Sequence, residues 1–385
     1  MTTISFSGGR IFNGHDLLDN HCVIFTKGLC TAVVPHRDLP KVDREFDLCG
    51  DLLSPGYADL QVNGGGGVLL NDNPSVEILQ QIAGAHQALG TTTLLPTLIT
   101  STEQRTQAAI DATIKTIELG TTGIAGLHLE GPHLSIEKKG AHDANLIRPM
   151  QPQDLQQLVQ AAEKLPLLKI TIAPENVSLE QVKALTRAGV LIALGHTNAT
   201  YETCMNYYHA GARCVTHLFN AMSQLGSRDP GLVGMAMDNS NTKTGLIADG
   251  IHVHPASIRA TINSMGGLHR VYLVSDAMAV AGTTLNSFEL DGRIIHRKDG
   301  RLTLSDGTLA GADLELTRAL HFLVNEVGAE LKDALCSAVT VPRSLLAGTN
   351  TPFALQGQPM DSFIKITAAL TGVDTLSRLA SEHKH

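Results

Sequence analysis

Eight apolar runs, separated by stretches of mixed polarity, recur between residues 57 and 278 of this 385-residue chain, and this alternation restricts the possible folds sharply. The runs are YADLQVN (57–63), TTTLLPTL (91–98), GIAGLHLE (123–130) and LKITIAPE (168–175), then VLIALGHTN (190–198), CVTHLFNAM (214–222), KTGLIADGIHV (243–253) and RVYLVSDAM (270–278). Most are nearly continuous in apolar residues, as expected of parallel strands buried on both faces. Helical patterns lie between several of them, such as SVEILQQIAGAHQALG (75–90) and SLEQVKALTRAG (178–189), each ending in a glycine stop signal. Eight β/α units predict an α/β fold, a (β/α)8 TIM-like barrel.

The ends of the chain read differently. Residues 1–53 hold short apolar runs broken by turn residues, and LQGQPMDSFIKIT (355–367) is again strand-like. The expectation is a small β-sandwich domain built from both chain ends, with residues 1–53 and 347–385 flanking a barrel over 54–346. The core is affordable, since 43% of residues are hydrophobic and 36 more are glycine. Charged residues, at 17%, fall below the roughly 25% usual for globular proteins, which excludes a disordered chain. The net charge of 29 − 37 = −8 argues against a nucleic-acid partner. No run approaches the roughly 20 apolar residues of a membrane span. MTTISFSGGR has no basic segment leading into an apolar one, so no export signal is expected. The six cysteines form no CxxC pair and read as free thiols in a reducing, cytoplasmic compartment.

A TIM barrel carries its active site at the C-terminal ends of its strands. The first run ends in Asp59, Gln61 and Asn63, followed by four glycines, and the third in His128 and Glu130. The fourth ends in Glu175 and Asn176, the fifth in His196, Thr197 and Asn198, and the sixth carries His217 and Asn220. The seventh supplies Asp249, His252 and His254, and the eighth Asp276. A lone histidine here is most simply a satisfied core residue. Two histidines and a glutamate at three neighbouring strand ends instead read as a metal site. Glu130, His196 and His217 form such a set, with a position left for water. Asp276 follows the apolar run VYLVS and is the leading acid/base, against the simpler reading of a loop acceptor. His252 is favoured for substrate contact and His254 for a peripheral role. The glycines at 64–67 read equally as an anion cradle or a turn. HLEGPH lacks the PCxxC of nucleobase deaminases, and no HExxH, GxSxG or GxxxxGK[ST] occurs.

The stretches LLSPGYADLQVNGGGG, GLHLEGPHL with KKGAH, TIAPE, GHTNAT, THLFNAM, DGIHVHP, LVSDAM and GTLAGADL run in order from about residue 50 to 315. This set resembles the amidohydrolase superfamily and, within it, the N-acetylglucosamine-6-phosphate deacetylases. The resemblance implies hydrolysis of the acetamide of N-acetyl-D-glucosamine 6-phosphate to D-glucosamine 6-phosphate and acetate, in amino-sugar catabolism and cell-wall recycling. It implies that Glu130, His196 and His217 hold a divalent metal and that Asp276 shuttles the proton. It implies that His142 of KKGAH polarises the acetyl carbonyl. Asn220, Ala221 and His252 would meet the sugar phosphate, and Leu309, Ala310 and Gly311 would line the acetyl pocket. Arg228 would reach the phosphate from the neighbouring subunit of a homodimer.

One departure stands out. Much of the superfamily ends its first strand in HxH, which binds a second metal; here the positions read Gln61 and Asn63. Amides are weak Zn2+ ligands, so one metal per subunit is expected, Zn2+ first, with Fe2+, Co2+ or Mn2+ as alternatives. Three rivals remain at this level. The galactosamine epimer keeps the mechanism and changes the sugar. A cyclic-amide substrate is disfavoured because the fourth run has no lysine at its tip. A non-catalytic scaffold is disfavoured by the intact Glu130, His196, His217 and Asp276.

Overall fold

The computed structural model describes residues 2–348 and 353–382. Parts of the expected C-terminal segment, 349–352 and 383–385, lie outside the described residues.

All eight expected strands form one parallel sheet, in sequence order from Tyr57–Val62 through Thr91–Ile99, Leu127–Glu130, Leu168–Ile172, Leu191–Leu194, Cys214–Val215 and Lys243–Leu246 to Val271–Leu273. The sheet closes through a parallel bridge between Val62 and Ala277, beside hydrogen bonds from Asp276 N to Gln61 O (3.1 Å) and Asn63 N to Ala277 O (2.9 Å). This is a TIM barrel. Tyr57–Val62 and Leu168–Ile172 are buried at every position, which is why those runs show no polar alternation. The helices between strands start where the sequence offers an oxygen cap. Ser75 and Thr102 accept from the backbone N–H three residues on, and Ser178 with Gln181 forms a capping box. Gly90 (φ 86°) and Gly189 (φ 82°) stop two of them in the left-handed region, as expected.

The strands are shorter than the apolar runs. The sixth stops at Val215 and the eighth at Leu273, so His217 and Asp276 sit beyond the ladder. Their residues leave the sheet at the C-terminal rim, where the backbone turns to aim side chains inward.

The chain ends build two further sheets. One has four strands, in the order Leu29–Pro35, His21–Thr26, Thr3–Ser7, Arg44–Asp47. The other has five, and pairs Phe363–Ile366 antiparallel with Leu52–Pro55. Side chains of both sheets share one core, in which Phe25 meets Phe6 and Phe363 edge-on at 5.8 and 5.1 Å. Leu53 and Phe363 face that core, while their neighbours Leu52 and Ile364 face the barrel core. The period-two alternation of a strand thus ties sandwich to barrel.

Two features sharpen the sequence reading. Of the two readings of the glycines at 64–67, the turn is the one found. Gly64, Gly66 and Gly67 spend their N–H groups on the carbonyls of Ala277, Ala281 and Ala279, stitching the first strand to the chain after the eighth. A Cβ on Gly64 would come within 2.3 Å of Val68 O, so only glycine fits that approach. Second, a three-stranded sheet was not anticipated: Ser287–Leu290, Arg293–Lys298 and Arg301–Thr303. Its turns, Asp291-Gly292 and Asp299-Gly300, all have positive φ (48°, 77°, 50° and 73°) and are the sequence signal that marks it. Among the described residues, no helix is long and apolar enough to cross a membrane. The six cysteines are free.

Phe363→Ala should destabilise the protein by about 3–5 kcal/mol, because the ring is fully buried between the two chain ends. Urea denaturation checks this; a loss below about 1 kcal/mol would mean that the sandwich does not depend on that ring.

Candidate active site

Glu130 closes the third barrel strand, and its carboxylate is almost fully buried. His196, His217 and Asp276 follow the fifth, sixth and eighth strands, and all three are non-glycine residues in the left-handed region, with φ of 48°, 29° and 49°. Such backbone costs on the order of 1–3 kcal/mol per residue and persists where the surroundings impose it. Here it turns each side chain off the strand direction and into the barrel mouth.

The result is a tight donor cluster. Glu130 Oε1 lies 3.3 Å from His196 Nε2 and 3.1 Å from His217 Nε2, and the two Nε2 atoms are 3.1 Å apart. His196 Nδ1 donates to the Lys138 carbonyl (2.8 Å), which leaves the Nε2 lone pair facing the cluster. Three lone-pair atoms this close repel one another unless a cation lies among them. The set therefore fits a divalent metal, and two imidazoles with one carboxylate is an ordinary zinc donor set. Glu130, His142 and His196 also bring ligand atoms within 4.8 Å of one another, so His142 borders the same point.

The protonation tendencies express the same crowding. Without a cation, protons on the imidazoles would take its place: burial pushes Glu130 up, but hydrogen bonds and charge from His196 and His217 would then hold its carboxyl well below the usual range. Burial opposes protonation of His217, yet the Glu130 carboxylate raises it above the ordinary imidazole value. Asp276 is raised by burial and then by the charge of Glu130. His142 falls to about 3, through burial and then the neighbouring His196.

Gln61 and Asn63 occupy the far side of the cluster. Gln61 Nε2 reaches both Glu130 oxygens (3.1 and 3.0 Å) and Asp276 Oδ1 (3.2 Å). Asn63 Nδ2 donates to Asp276 Oδ1 at 2.7 Å. Their amide oxygens, buried and turned away, have no hydrogen-bond partner among the described residues. The carboxylates impose this orientation, since an amide oxygen turned toward them would be repelled. The amide N–H groups bridge Glu130 and Asp276.

A cavity of about 510 Å³ opens over the cluster, within the usual range for a small ligand. Its lining includes Glu130, His196, His217 and Asp276 from the cluster and His142 from the loop after the third strand. Asn220, Ala221, His252, Leu309, Ala310 and Gly311 line it as well. Asp249 holds His252 by accepting from its Nδ1 (2.6 Å) and its backbone N–H (2.8 Å). His254 instead caps the helix Pro255–Met265, with Nδ1 accepting from Ala256 N (3.1 Å), so the two rings of the HxH pair are held by different partners. Arg228 is exposed and does not line the cavity of its own chain. The sequence reading missed the apolar wall of Ile99, Met278 and Leu290, the last supplied by the unanticipated hairpin.

Comparison with known proteins places this architecture. The amidohydrolase family profile matches residues 52–338, and the NagA composite domain matches residues 5–53. The chain belongs to the amidohydrolase family. Amidohydrolases are metal-dependent hydrolases, and this amidohydrolase is 39% identical over 319 residues to an N-acetylgalactosamine-6-phosphate deacetylase of Shewanella sp. (82% of this chain, 79% of the relative). It is 35% identical over 328 residues to an N-acetylglucosamine-6-phosphate deacetylase of Haemophilus influenzae (84% and 85%). Among solved structures, the N-acetylglucosamine-6-phosphate deacetylase of Pasteurella multocida superposes with a TM-score of 0.90 at 31% identity, covering 97% of this chain and 98% of that one.

His196→Ala should abolish tight metal binding while the fold survives. Elemental analysis after gel filtration checks this, and full occupancy in the variant would remove His196 from the donor set.

Proposed function

We propose that this amidohydrolase hydrolyses the acetamide of N-acetyl-D-glucosamine 6-phosphate, releasing acetate and D-glucosamine 6-phosphate in amino-sugar metabolism. The observation that carries the reading is the convergence of a metal-fitting triad, Glu130, His196 and His217, with Asp276 on one sugar-sized cavity. Relatives with deacetylase names over most of the chain support it. In this reading residues 54–346 form the catalytic unit, and residues 1–53 and 347–385 the supporting one.

An amide is a poor electrophile with a poor leaving group. A divalent metal held by Glu130, His196 and His217 would polarise the carbonyl and acidify the attacking water. Asp276, held by the Asn63 and Gln61 amides, accepts the proton from that water and passes it to the departing nitrogen. His142 steadies the carbonyl oxygen as charge develops on it. Asn220, Ala221 and His252 meet the sugar phosphate, and Leu309, Ala310 and Gly311 accommodate the acetyl methyl. Arg228 serves the neighbouring subunit of a homodimer, which accounts for its exposure here. One metal per subunit, zinc, in a cytoplasmic enzyme completes the proposal.

The 39% identical Shewanella relative favours a second reading, the C4 epimer N-acetylgalactosamine 6-phosphate. Acetate release from both phosphorylated sugars and from unphosphorylated N-acetylglucosamine, with Zn2+ supplied, separates the two. Release from the glucosamine compound supports the first, release from the epimer alone supports the second, and release from none in metal-loaded protein rejects both.

Asp276→Asn should retain metal and lose nearly all turnover, a drop on the order of 10²–10⁴-fold; unchanged kcat would remove Asp276 from the mechanism. Arg228→Ala should raise KM for the phosphorylated sugar far more than for an unphosphorylated analogue. Equal effects on the two would show that Arg228 does not read phosphate.

A further inference from the structure

Thr100 follows the second barrel strand and is buried at 2% exposure. Its Oγ1 lies 2.8 Å from His142 Nδ1 and 3.5 Å from the Glu130 carbonyl oxygen. We propose that Thr100 is a positioning residue whose hydroxyl donates to His142 Nδ1, so that the ring carries its proton on Nε2 and presents an N–H to the acyl oxygen instead of a lone pair to the metal. This inference rests on the deacetylase reading and names a residue that sets the state of one of its catalytic groups.

Three observations carry it. A hydroxyl has one proton, and of its two acceptors the ring nitrogen, at 2.8 Å, lies at an ordinary hydrogen-bond distance while the Glu130 carbonyl, at 3.5 Å, lies beyond it. Both partners are held in place through the residues before them. Asn71 clamps Ile99 with two hydrogen bonds, Nδ2 to Ile99 O at 3.1 Å and Ile99 N to Oδ1 at 3.0 Å. Arg293, on the hairpin, donates from Nη2 to Ala141 O at 2.7 Å. Gly131, next to Glu130, leaves room for the hydroxyl, because a Cβ there would come within 2.3 Å of Thr100 Oγ1.

The third observation is a choice the site must make. His142 brings a ring nitrogen within 4.8 Å of donor atoms of Glu130 and His196, and with Nδ1 turned to Thr100 an unprotonated Nε2 would compete to join Glu130, His196 and His217 as a ligand. A catalytic zinc keeps one position open for water or substrate. The two amides of the cluster, Gln61 and Asn63, direct their N–H groups to carboxylates, so the donor assigned to the acyl oxygen in the deacetylase reading is the His142 ring. A proton on Nε2 keeps the ring out of the donor set and gives it that role. The sequence gives no sign of this, because Thr100 and His142 are 42 positions apart.

The test uses zinc-loaded full-length protein. The 15N spectrum of the histidine rings, with His142 assigned by its loss in His142→Asn, should show a pyridine-type Nδ1 and a pyrrole-type Nε2. Thr100→Val removes the hydroxyl at nearly constant shape. It should lower kcat about 10–100-fold, by analogy with the loss of a hydrogen-bond partner that orients a site histidine, with metal content retained, KM little changed and the His142 tautomer altered. Thr100→Ser should restore kcat to within a few-fold of the parent. A pyrrole-type Nδ1 in the parent protein would overturn the proposal even if Thr100→Val fails to fold, as would a Thr100→Val variant with parental kcat and tautomer. Absence of acetate release by the parent itself would instead strike the deacetylase reading, independently of the spectrum.

Discussion

The contact on which the site depends is the meeting of Glu130 Oε1 with the Nε2 atoms of His196 and His217, all pairs within 3.3 Å. Without a cation, three inward lone pairs are an electrostatic liability in a buried setting, where polar groups are costly unless satisfied. The fold accepts that liability and adds backbone strain to create it, since both histidines and Asp276 adopt left-handed φ. Strain of this kind is retained where the surrounding structure holds it. The closed barrel does so, through the Val62–Ala277 bridge and the glycine turn bound to the chain after the eighth strand.

Beside this cluster the protein meets a second charge problem with amide groups. Glu130 and Asp276 are both buried acids, and Gln61 and Asn63 place amide N–H groups between them. The amides supply directed partial charges, not a full cation. Asp276 is therefore held by amide hydrogen bonds and, among the described residues, makes no ion pair with a basic side chain on the cluster's far side. A carboxylate so placed is a better proton acceptor than one neutralised by an ion pair, which is the property a proton shuttle requires.

Much of this was legible in the sequence, for physical reasons. Parallel strands buried on both faces leave long apolar runs, so all eight could be counted. Polar residues at their ends necessarily gather on one rim, which made Glu130, His196, His217 and Asp276 visible as a group. What was not legible depended on distant partners or on backbone hydrogen bonds. The glycines at 64–67 have the composition of an anion cradle, but their N–H groups are taken by Ala277, Ala279 and Ala281. The hairpin over 287–303 is too polar to stand out by periodicity, though its two Asp-Gly turns marked it. Leu290 entered the cavity wall only because that hairpin folds back over the barrel mouth. His254 shares the HxH pattern with His252, but a helix N-terminus claims its ring.

The central claim is that this centre holds one divalent ion, set by Glu130, His196 and His217, with amides in place of a second. Anomalous diffraction at the zinc edge, from crystals saturated with zinc, tests it most directly. The account predicts a single strong peak bonded to those three side chains. A second peak of comparable height against Gln61 and Asn63, or a main peak that includes His142 and excludes His217, would contradict it.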